Sequence, residues 1–196
     1  MTRWLNRTLR GAAVLAAGCV VLLVLALGWL GYLQWTGNVH VVQEGAVYRS
    51  NTLAPAHLAD VLATEHIRTV LNLRGANTGE EWYQKETDVL NRAGVQLINV
   101  PLKSSEEPSD ALLSQLVTAL KEAPRPLLIH CKAGADRTGL ASALYELLVV
   151  GKPADVAAGQ LSFWYGHFPW LTSDTGAMDR TFWRVAAPPT PLASTR

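Results

Sequence analysis

The sequence predicts an α/β domain with a central, mostly parallel β-sheet flanked by helices, preceded by one N-terminal transmembrane helix. Three observations support this prediction. From residue 45 onward, short apolar runs alternate with amphipathic helical patterns, and residues 11–33 carry no charged side chain. The third is a strand, loop and helix pattern at residues 127–139, because parallel sheets place ligand-binding loops at the carboxyl ends of their strands.

Strands and helices alternate along the predicted domain. Short runs rich in apolar and β-branched residues predict strands at residues 46–50, 67–73, 95–100 and 127–129. Apolar residues at helical spacing predict helices at residues 55–65, 79–93, 108–122 and 138–150, with another after Pro153. Residues 138–150 are apolar almost all round, which predicts a buried helix. Gly94 is expected to end the helix before it as a C-terminal cap.

The N-terminal segment, up to residue 33, has the organisation of a membrane anchor. Residues 1–10 form a basic segment, and residues 11–33, about 23 in number, are long enough to cross a bilayer with some tilt. Basic residues before the span predict a cytoplasmic N-terminus and a folded domain on the other side. The domain boundaries predicted after the span are a linker at residues 34–44, a folded domain at residues 45–187 and a flexible tail at residues 188–196.

Two other interpretations of the apolar segment stay open. A cleaved signal peptide would use residues 26–28 as a weak small-residue cleavage site. The residues before Cys19 faintly resemble a lipoprotein cleavage box, but the sequence after Cys19 stays strongly apolar. A retained anchor is preferred because the run is long and ends among aromatic residues, as in the aromatic belt of a membrane span.

Charge and cysteine content exclude several classes of function. The formal net charge is +1, and without Arg3, Arg7 and Arg10 the remaining 14 basic and 16 acidic residues give about −2. A nucleic-acid-binding surface is therefore not expected. The only cysteines, Cys19 and Cys131, allow neither a disulfide framework nor a zinc cluster. No metal and no cofactor is predicted.

The loop after the strand at 127–129 has the chemistry of a phosphate site. Its sequence is His130, Cys131, Lys132, Ala133, Gly134, Ala135, Asp136, Arg137, Thr138 and Gly139. The amides of residues 132–137 are expected to form a nest for an anion, strengthened by the N-terminus of the following helix. Arg137 has a planar fork that grips two phosphate oxygens, and the positive field favours the thiolate of Cys131, which is a nucleophile.

This pattern, His-Cys-x5-Arg-Thr-Gly, resembles the signature of the cysteine-dependent protein tyrosine phosphatases, nearest their dual-specificity branch. The resemblance covers residues 45–165 or so and implies the fold of that family. It also implies that Cys131 forms a phosphocysteine and that Arg137 stabilises the transferring phosphoryl group. Thr138 would help the thiolate to leave, and His130 would hold the Cys131 backbone and tune the thiol.

The general acid is where the chain departs from the dual-specificity pattern, because no Asp lies about thirty residues before Cys131. Asp136 is the preferred candidate, since an Asp-Arg-Thr ending resembles myotubularin-like, Sac-type and some bacterial tyrosine phosphatases. Glu106 and Glu107 are the alternatives. The alternative is a structural role, in which the Asp136 carboxylate only orients Arg137.

Four other residues have two open interpretations each. Lys132 contacts a second anionic group of the substrate or is a surface lysine. Arg49 and Arg74 line the cleft or lie at the surface, and His167 is expected to be structural because its aromatic surroundings have no role in the motif.

The predicted function is that of a phosphomonoester hydrolase acting on phosphotyrosine or phosphoserine protein or on a phosphorylated membrane lipid. The alternative is a membrane-tethered, non-catalytic module that recognises phosphate. A sulfur-transfer enzyme fits poorly, because Arg137-Thr138-Gly139 is the phosphatase ending of such a loop. The expected partners are the phosphorylated substrate and the membrane through residues 11–33. The expected location is a bacterial inner membrane, with the catalytic domain on the periplasmic side.

Overall fold

The structure, a computed structural model, describes residues 2–170 and 173–187, with side chains from residue 11 onward. The chain separates into two compact units at the junction of Thr36 and Gly37. The tail predicted for residues 188–196 lies outside the described residues.

The first unit is one long helix, α1 (Thr2–Trp35). At 1.5 Å per residue it is about 50 Å long. Its segment Gly11–Trp35 is long and apolar enough to cross a membrane, and it contains the span predicted at residues 11–33. Length and composition are the grounds for this assignment, and a signal sequence near the N-terminus passes the same test.

The second unit contains a five-stranded sheet in the order β1-β2-β5-β3-β4. The strands are β1 (His40–Gln43), β2 (Val47–Ser50), β3 (Thr69–Asn72), β4 (Gln96–Asn99) and β5 (Leu127–His130). β1 is antiparallel to β2, and every other pairing is parallel, which confirms the predicted fold class. The interval 34–44, predicted to be a linker, supplies β1 to this sheet.

Helices surround the sheet. They are α2 (Pro55–Thr64), α3 (Glu81–Ala93), α4 (Asp110–Glu122), α5 (Asp136–Tyr145), α6 (Ala154–Ala157) and α7 (Gly176–Ala186). A π-helical turn (Glu146–Val150) follows α5, and 3-10 turns occupy Ala158–Gln160 and Phe163–Tyr165. Gly94 is left-handed, with φ of 67°, and caps α3 as predicted.

The central strand β5 is buried on both faces, because successive side chains of a strand point to opposite sides. Leu127 and Ile129 join a core cluster with residues of α4, α5 and α7, whereas Leu128 joins a second cluster with residues of α2 and α3. Burial on both faces explains why β5 is a continuous apolar run. Packing on both faces also fixes the position of His130, the residue at which β5 ends.

The helix predicted at residues 138–150 differs from the structure at both ends. α5 begins earlier, at Asp136, and becomes π-helical from Glu146 onward. Residues 138–145 are buried as predicted, but Leu148, Val149 and Val150 are between 37% and 41% exposed. All-round burial therefore holds only for the α-helical part.

Candidate active site

The loop with Cys131 lies at the carboxyl edge of the sheet. β5 ends at His130, Cys131 follows directly and is buried, and α5 begins at Asp136. β2 and β3 run parallel to β5 on either side, so all three strands end at this edge. The loop therefore has the predicted position between a buried strand and a helix N-terminus.

Polar groups outside the loop bind the carbonyl oxygens of its first half. The hydroxyl of Thr52 donates to the carbonyl oxygen of Cys131 at 3.1 Å, and the Thr52 amide donates to that of Lys132 at 3.4 Å. The buried Asn38 side chain donates to the carbonyl oxygen of Ala133 at 3.0 Å. Three consecutive carbonyl groups are thus held towards the protein.

The second half of the loop is held by Arg49, a fully buried residue of β2. Its Nη2 donates to the carbonyl oxygens of Gly134 and Ala135 at 2.8 and 3.4 Å. Its Nη1 donates to the backbone and side-chain oxygens of Gln160 at 2.9 and 2.7 Å, and its guanidinium lies 3.9 Å from the ring centre of Tyr165. Burial lowers the pKa of Arg49 to about 10, so it keeps its charge at neutral pH.

These contacts determine which way the loop amides face. In a planar trans peptide, the carbonyl of one residue and the amide of the next point in opposite directions. With the carbonyl oxygens of residues 131–135 bound by Thr52, Asn38 and Arg49, the amides of residues 132–136 turn to the other side. Several amides facing one point form an anion-binding nest.

Gly134 permits the turn in the middle of the loop. Its φ is +71°, in the left-handed region. A Cβ at this position would lie 2.8 Å from the Ser50 carbonyl oxygen and from the Asn51 amide nitrogen. Both the backbone conformation and the close approach to the end of β2 require glycine here.

Arg137 and Thr138 begin the helix beside the nest. Nη1 of Arg137 donates to the carbonyl oxygens of Leu102 and Leu73 at 3.2 and 3.4 Å. Its Nε and the Thr138 hydroxyl are buried and have no hydrogen-bond partner among the described residues. These two unpaired donors are therefore available to bind an oxyanion held in the loop.

Asp136 has a partner that the motif does not predict. Its Oδ1 lies 2.8 Å from Nδ1 of His167, and Nε2 of His167 lies 2.8 Å from Oδ2 of Asp179 on α7. Arg137 binds backbone carbonyl oxygens instead. The described contacts therefore do not support a purely structural role in which Asp136 orients Arg137. His167 was expected to be only structural, yet it contacts the preferred candidate for the general acid.

The carboxylates outweigh burial in setting the charge of His167. Burial alone would lower the pKa of its imidazole, but the hydrogen bonds with Asp136 and Asp179 raise the pKa above its ordinary value. His167 itself is 1% exposed, while the side chain of Asp136 keeps 23% exposure. Solvent therefore reaches the carboxylate but hardly reaches the imidazole.

His130 is buried and pairs with Glu86 of α3, whose Oε1 lies 2.8 Å from His130 Nε2. The carbonyl oxygen of His130 accepts a hydrogen bond from the Leu73 amide at 2.9 Å. The ring contact that the structure shows is thus with α3, whereas the resemblance implied one with the backbone of Cys131. This pair links α3 to the residue before the nucleophile candidate.

Arg74 lies beside the loop. Its Nη1 donates to the Thr52 hydroxyl at 3.0 Å, and its guanidinium stacks on Trp82 at 3.3 Å from the ring centre. Burial, followed by the nearby charge of Arg137, lowers the pKa of Arg74. Of the two arginines with open interpretations, Arg74 is at the site and Arg49 lies beneath it. Lys132 has an exposed side chain.

The alternative acids lie in surface ion pairs. Glu106 pairs with Lys103 at 3.1 Å, and both side chains are exposed. Glu107 pairs with Arg180 of α7 at 2.9 Å, and Arg184 pairs with Asp110 at 3.0 Å. These contacts bind the loop before α4 to α7, and Asp136 is the carboxylate within the nest itself.

The supporting residues Asn38, Thr52 and Glu86 were not predicted from the sequence, and the role of Arg49 was left open. A signal existed for Arg49, because a charged residue in a strand otherwise expected to be buried needs a specific partner. Asn38, Thr52 and Glu86 carry no comparable signal, since each is polar in a segment that also tolerates exposed polar residues.

The sequence profile described as the tyrosine phosphatase family matches residues 30–159, about two thirds of the chain. The chain belongs to the tyrosine phosphatase family. This confirms the resemblance based on the loop motif. The profile ends before Gln160, Tyr165 and His167, so part of the support for the loop lies beyond the matched region.

Two curated proteins that are similar in sequence to this chain have names that describe different activities. Inositol diphosphatase SIW14 of Saccharomyces cerevisiae is 30% identical over 105 residues, which cover 51% of this chain and 35% of that protein. Dual specificity protein phosphatase TpbA of Pseudomonas aeruginosa is 36% identical over 64 residues, or 32% of this chain and 29% of TpbA. The chain thus spans about a third of the length of the curated relatives it matches.

Solved structures of the same two proteins share the fold. The P. aeruginosa TpbA crystal structure has a TM-score of 0.56 and 22% identity, covering 75% of this chain and 84% of that one. The core catalytic domain of SIW14 from S. cerevisiae has a TM-score of 0.56 and 21% identity, covering 76% and 90%. At this identity the likeness concerns the fold alone.

Proposed function

We propose that the protein is a phosphomonoester hydrolase that acts through a phosphocysteine intermediate on Cys131, without a metal. The observation that carries this proposal is the binding of every carbonyl oxygen from residue 131 to residue 135 by groups outside the loop. The loop amides are thereby oriented as a nest before any substrate arrives. Preorganised donors of this kind stabilise the charge of a transferring phosphoryl group.

In the first step the Cys131 thiolate attacks phosphorus. A sulfur–phosphorus bond forms and the bond to the leaving oxygen breaks, with its electron pair going to that oxygen. Asp136 gives a proton to the leaving oxygen, while Arg137 and the amides of residues 132–137 bind the non-bridging oxygens. The product alcohol or phenol then departs.

In the second step water attacks phosphorus and the sulfur–phosphorus bond breaks. Its electron pair returns to Cys131 as a thiolate, which the Thr138 hydroxyl, buried at the start of α5, would stabilise. Asp136, now a carboxylate, accepts the proton of the water. Inorganic phosphate leaves and the starting state is restored. Asp136 is preferred over Glu106 and Glu107 because it belongs to the loop and the other two lie in surface ion pairs.

For the substrate we propose a phosphorylated membrane lipid or a phosphotyrosine or phosphoserine protein. Arg74, beside the loop, favours a substrate with negative charge beyond the reacting group. The two curated relatives point to different classes, since one is named an inositol diphosphatase and the other a dual-specificity protein phosphatase. The apolar helix would keep the domain near a bilayer, which favours lipid.

We further propose that α1 anchors the chain in a bacterial inner membrane with the domain in the periplasm. The support is its apolar segment Gly11–Trp35 and the three arginines that precede it, Arg3, Arg7 and Arg10.

The test of the proposed reaction is phosphate release by the full-length chain in detergent with EDTA. Its substrates are a phosphotyrosine peptide, an inositol diphosphate and an anionic phospholipid phosphomonoester in mixed micelles. Replacing Cys131→Ser should lower turnover at least about a thousandfold, because the weaker hydroxyl nucleophile cannot replace the thiolate. Cys19→Ser, in the other cysteine, is the matched control and should retain full activity.

Substantial turnover in Cys131→Ser would contradict the mechanism. A wild-type chain that binds phosphate analogues but releases no phosphate from any substrate would instead support a non-catalytic recognition module. Among the three substrates, the fastest Cys131-dependent release identifies the substrate class.

A further inference from the structure

His167 lies between two carboxylates that belong to different helices. Asp136 on α5 faces its Nδ1 and Asp179 on α7 faces its Nε2, each at 2.8 Å, and the histidine is buried. An ionised carboxylate only accepts hydrogen bonds, so two such partners require a proton on both ring nitrogens. While both carboxyl groups are ionised, His167 is therefore an imidazolium with its orientation fixed at both ends, and when Asp136 carries a proton on Oδ2, its Oδ1 can still accept from Nδ1–H.

The charges around His167 favour this state. The charged groups that face it are Asp136 from α5 and Asp179 from α7. Burial works against the imidazolium, and the hydrogen bonds to both carboxylates overcome it. Asp179 balances the positive charge even when Asp136 carries a proton.

We propose that His167 is a positioning residue for Asp136, and that Asp179 holds His167 in place for this task. The proposal rests on the proposed function, because it assumes that Asp136 transfers the proton. Nδ1–H of His167 binds Oδ1 of Asp136 and fixes the carboxyl group at the start of α5. Oδ2 is then the oxygen that exchanges a proton with the leaving group and with water.

His167 contributes geometry and charge without moving a proton itself. In the first step the proton on Oδ2 goes to the leaving oxygen, and the new carboxylate is stabilised by the adjacent imidazolium. In the second step Oδ2 takes a proton from water, and His167 keeps both of its protons throughout. A small displacement of a catalytic group lowers the reaction rate strongly, so the contact that fixes this carboxyl group should increase turnover.

Two substitutions separate the bonds that His167 makes. In His167→Asn the side-chain amide nitrogen lies near the position of Nδ1 and can still donate to Asp136. In His167→Gln it lies near the position of Nε2, so contact with Asp179 is kept and contact with Asp136 is lost. Asp179→Asn weakens the anchor of His167 from the other side and leaves the loop sequence intact.

The experiment measures kcat/KM of the full-length chain for phenyl phosphate and 4-nitrophenyl phosphate. Phenolate needs a proton to leave, whereas nitrophenolate hardly does, so loss of acid catalysis harms phenyl phosphate more. We expect His167→Gln to lower the rate with phenyl phosphate at least about tenfold more than with 4-nitrophenyl phosphate. The extra loss with phenyl phosphate should be smaller in His167→Asn than in His167→Gln, and Asp179→Asn should give an intermediate loss. Asp136→Asn is the reference for complete loss of the acid.

Equal losses with both substrates in His167→Gln and Asp179→Asn would overturn the positioning role, provided that Asp136→Asn discriminates between the substrates. That result would leave the proposed function intact. If Asp136→Asn also fails to discriminate, the assignment of the acid is wrong and the inference falls with it. Thermal unfolding of each variant shows whether it is folded. If His167→Gln does not fold, the comparison of Asp179→Asn with wild type decides.

Discussion

Gly134 is the loop residue whose replacement has the clearest physical consequence. Its positive φ and the 2.8 Å distance from an added Cβ to atoms of Ser50 and Asn51 leave no room for a side chain. We expect Gly134→Ala to displace the loop and to weaken vanadate binding and turnover by about a hundredfold. The measurement is inhibition of 4-nitrophenyl phosphate hydrolysis by vanadate.

Gly159→Ala is the control for this substitution, because Gly159 has no atom within 4 Å of an added Cβ. It should leave both vanadate affinity and turnover close to wild type. Equal vanadate inhibition in Gly134→Ala and wild type would show that the loop tolerates a side chain and that Gly134 does not determine its shape.

At this scale the motif identified the loop but not what holds it. Cys131, Asp136 and Arg137 occupy the predicted strand–loop–helix segment, because the spacing of this motif is local. Arg49 and His167 act over separations of 85 and 31 residues along the chain, to Gly134 and Asp136. A single sequence contains no local pattern for such contacts, since they arise only when the sheet and the C-terminal segment pack together.

Between elements, the Asp136–His167–Asp179 bridge links α5 to α7, and its strength should depend on pH. The folded protein raises the pKa of His167, so the stabilisation is complete below about pH 6.5 and is lost as pH rises through the raised pKa. We expect wild type to exceed His167→Gln in unfolding temperature most at about pH 5.5. The difference should shrink towards pH 9, as measured by circular dichroism.

His57 gives the matched control for this pH effect, because it is a histidine of α2 that lies outside the bridge. His57→Gln should show no comparable narrowing between the same pH values. A constant difference between wild type and His167→Gln across this range would mean that the imidazolium does not stabilise the link.

The elements themselves were predictable to the extent that their burial follows from a simple pattern. The parallel strands β2, β3 and β5 are buried along their whole length and contain apolar or β-branched residues, and α3 and α4 have one apolar face with clear ends. β1 lies in the interval predicted to be a linker, because a short, half-exposed edge strand gives only a weak pattern in the sequence. The change from α-helix to π-helix at Glu146 has no signal in the apolar pattern.

For the whole molecule, the charges before the apolar helix predict topology. We expect the domain of the full-length chain, produced in a Gram-negative host, to be degraded by protease added to intact spheroplasts. Detection with an antibody against the C-terminal part measures this. A cytoplasmic protein of the host should stay intact in the same sample. Protection of the domain until lysis would contradict the periplasmic assignment.

The contacts of Arg49, Asn38 and Thr52 also determine whether the loop would keep its shape if residues 130–139 were grafted onto another protein. A fragment that starts at residue 53 contains the whole sequence 130–139, yet it lacks the outside donors for the carbonyl oxygens of residues 131–135. Those ten residues grafted onto another strand and helix would bring the nucleophile candidate without the framework that turns the peptide groups. The unit that a transplant needs is therefore the loop together with residues 38–52, which contain the first two strands and all three donor residues.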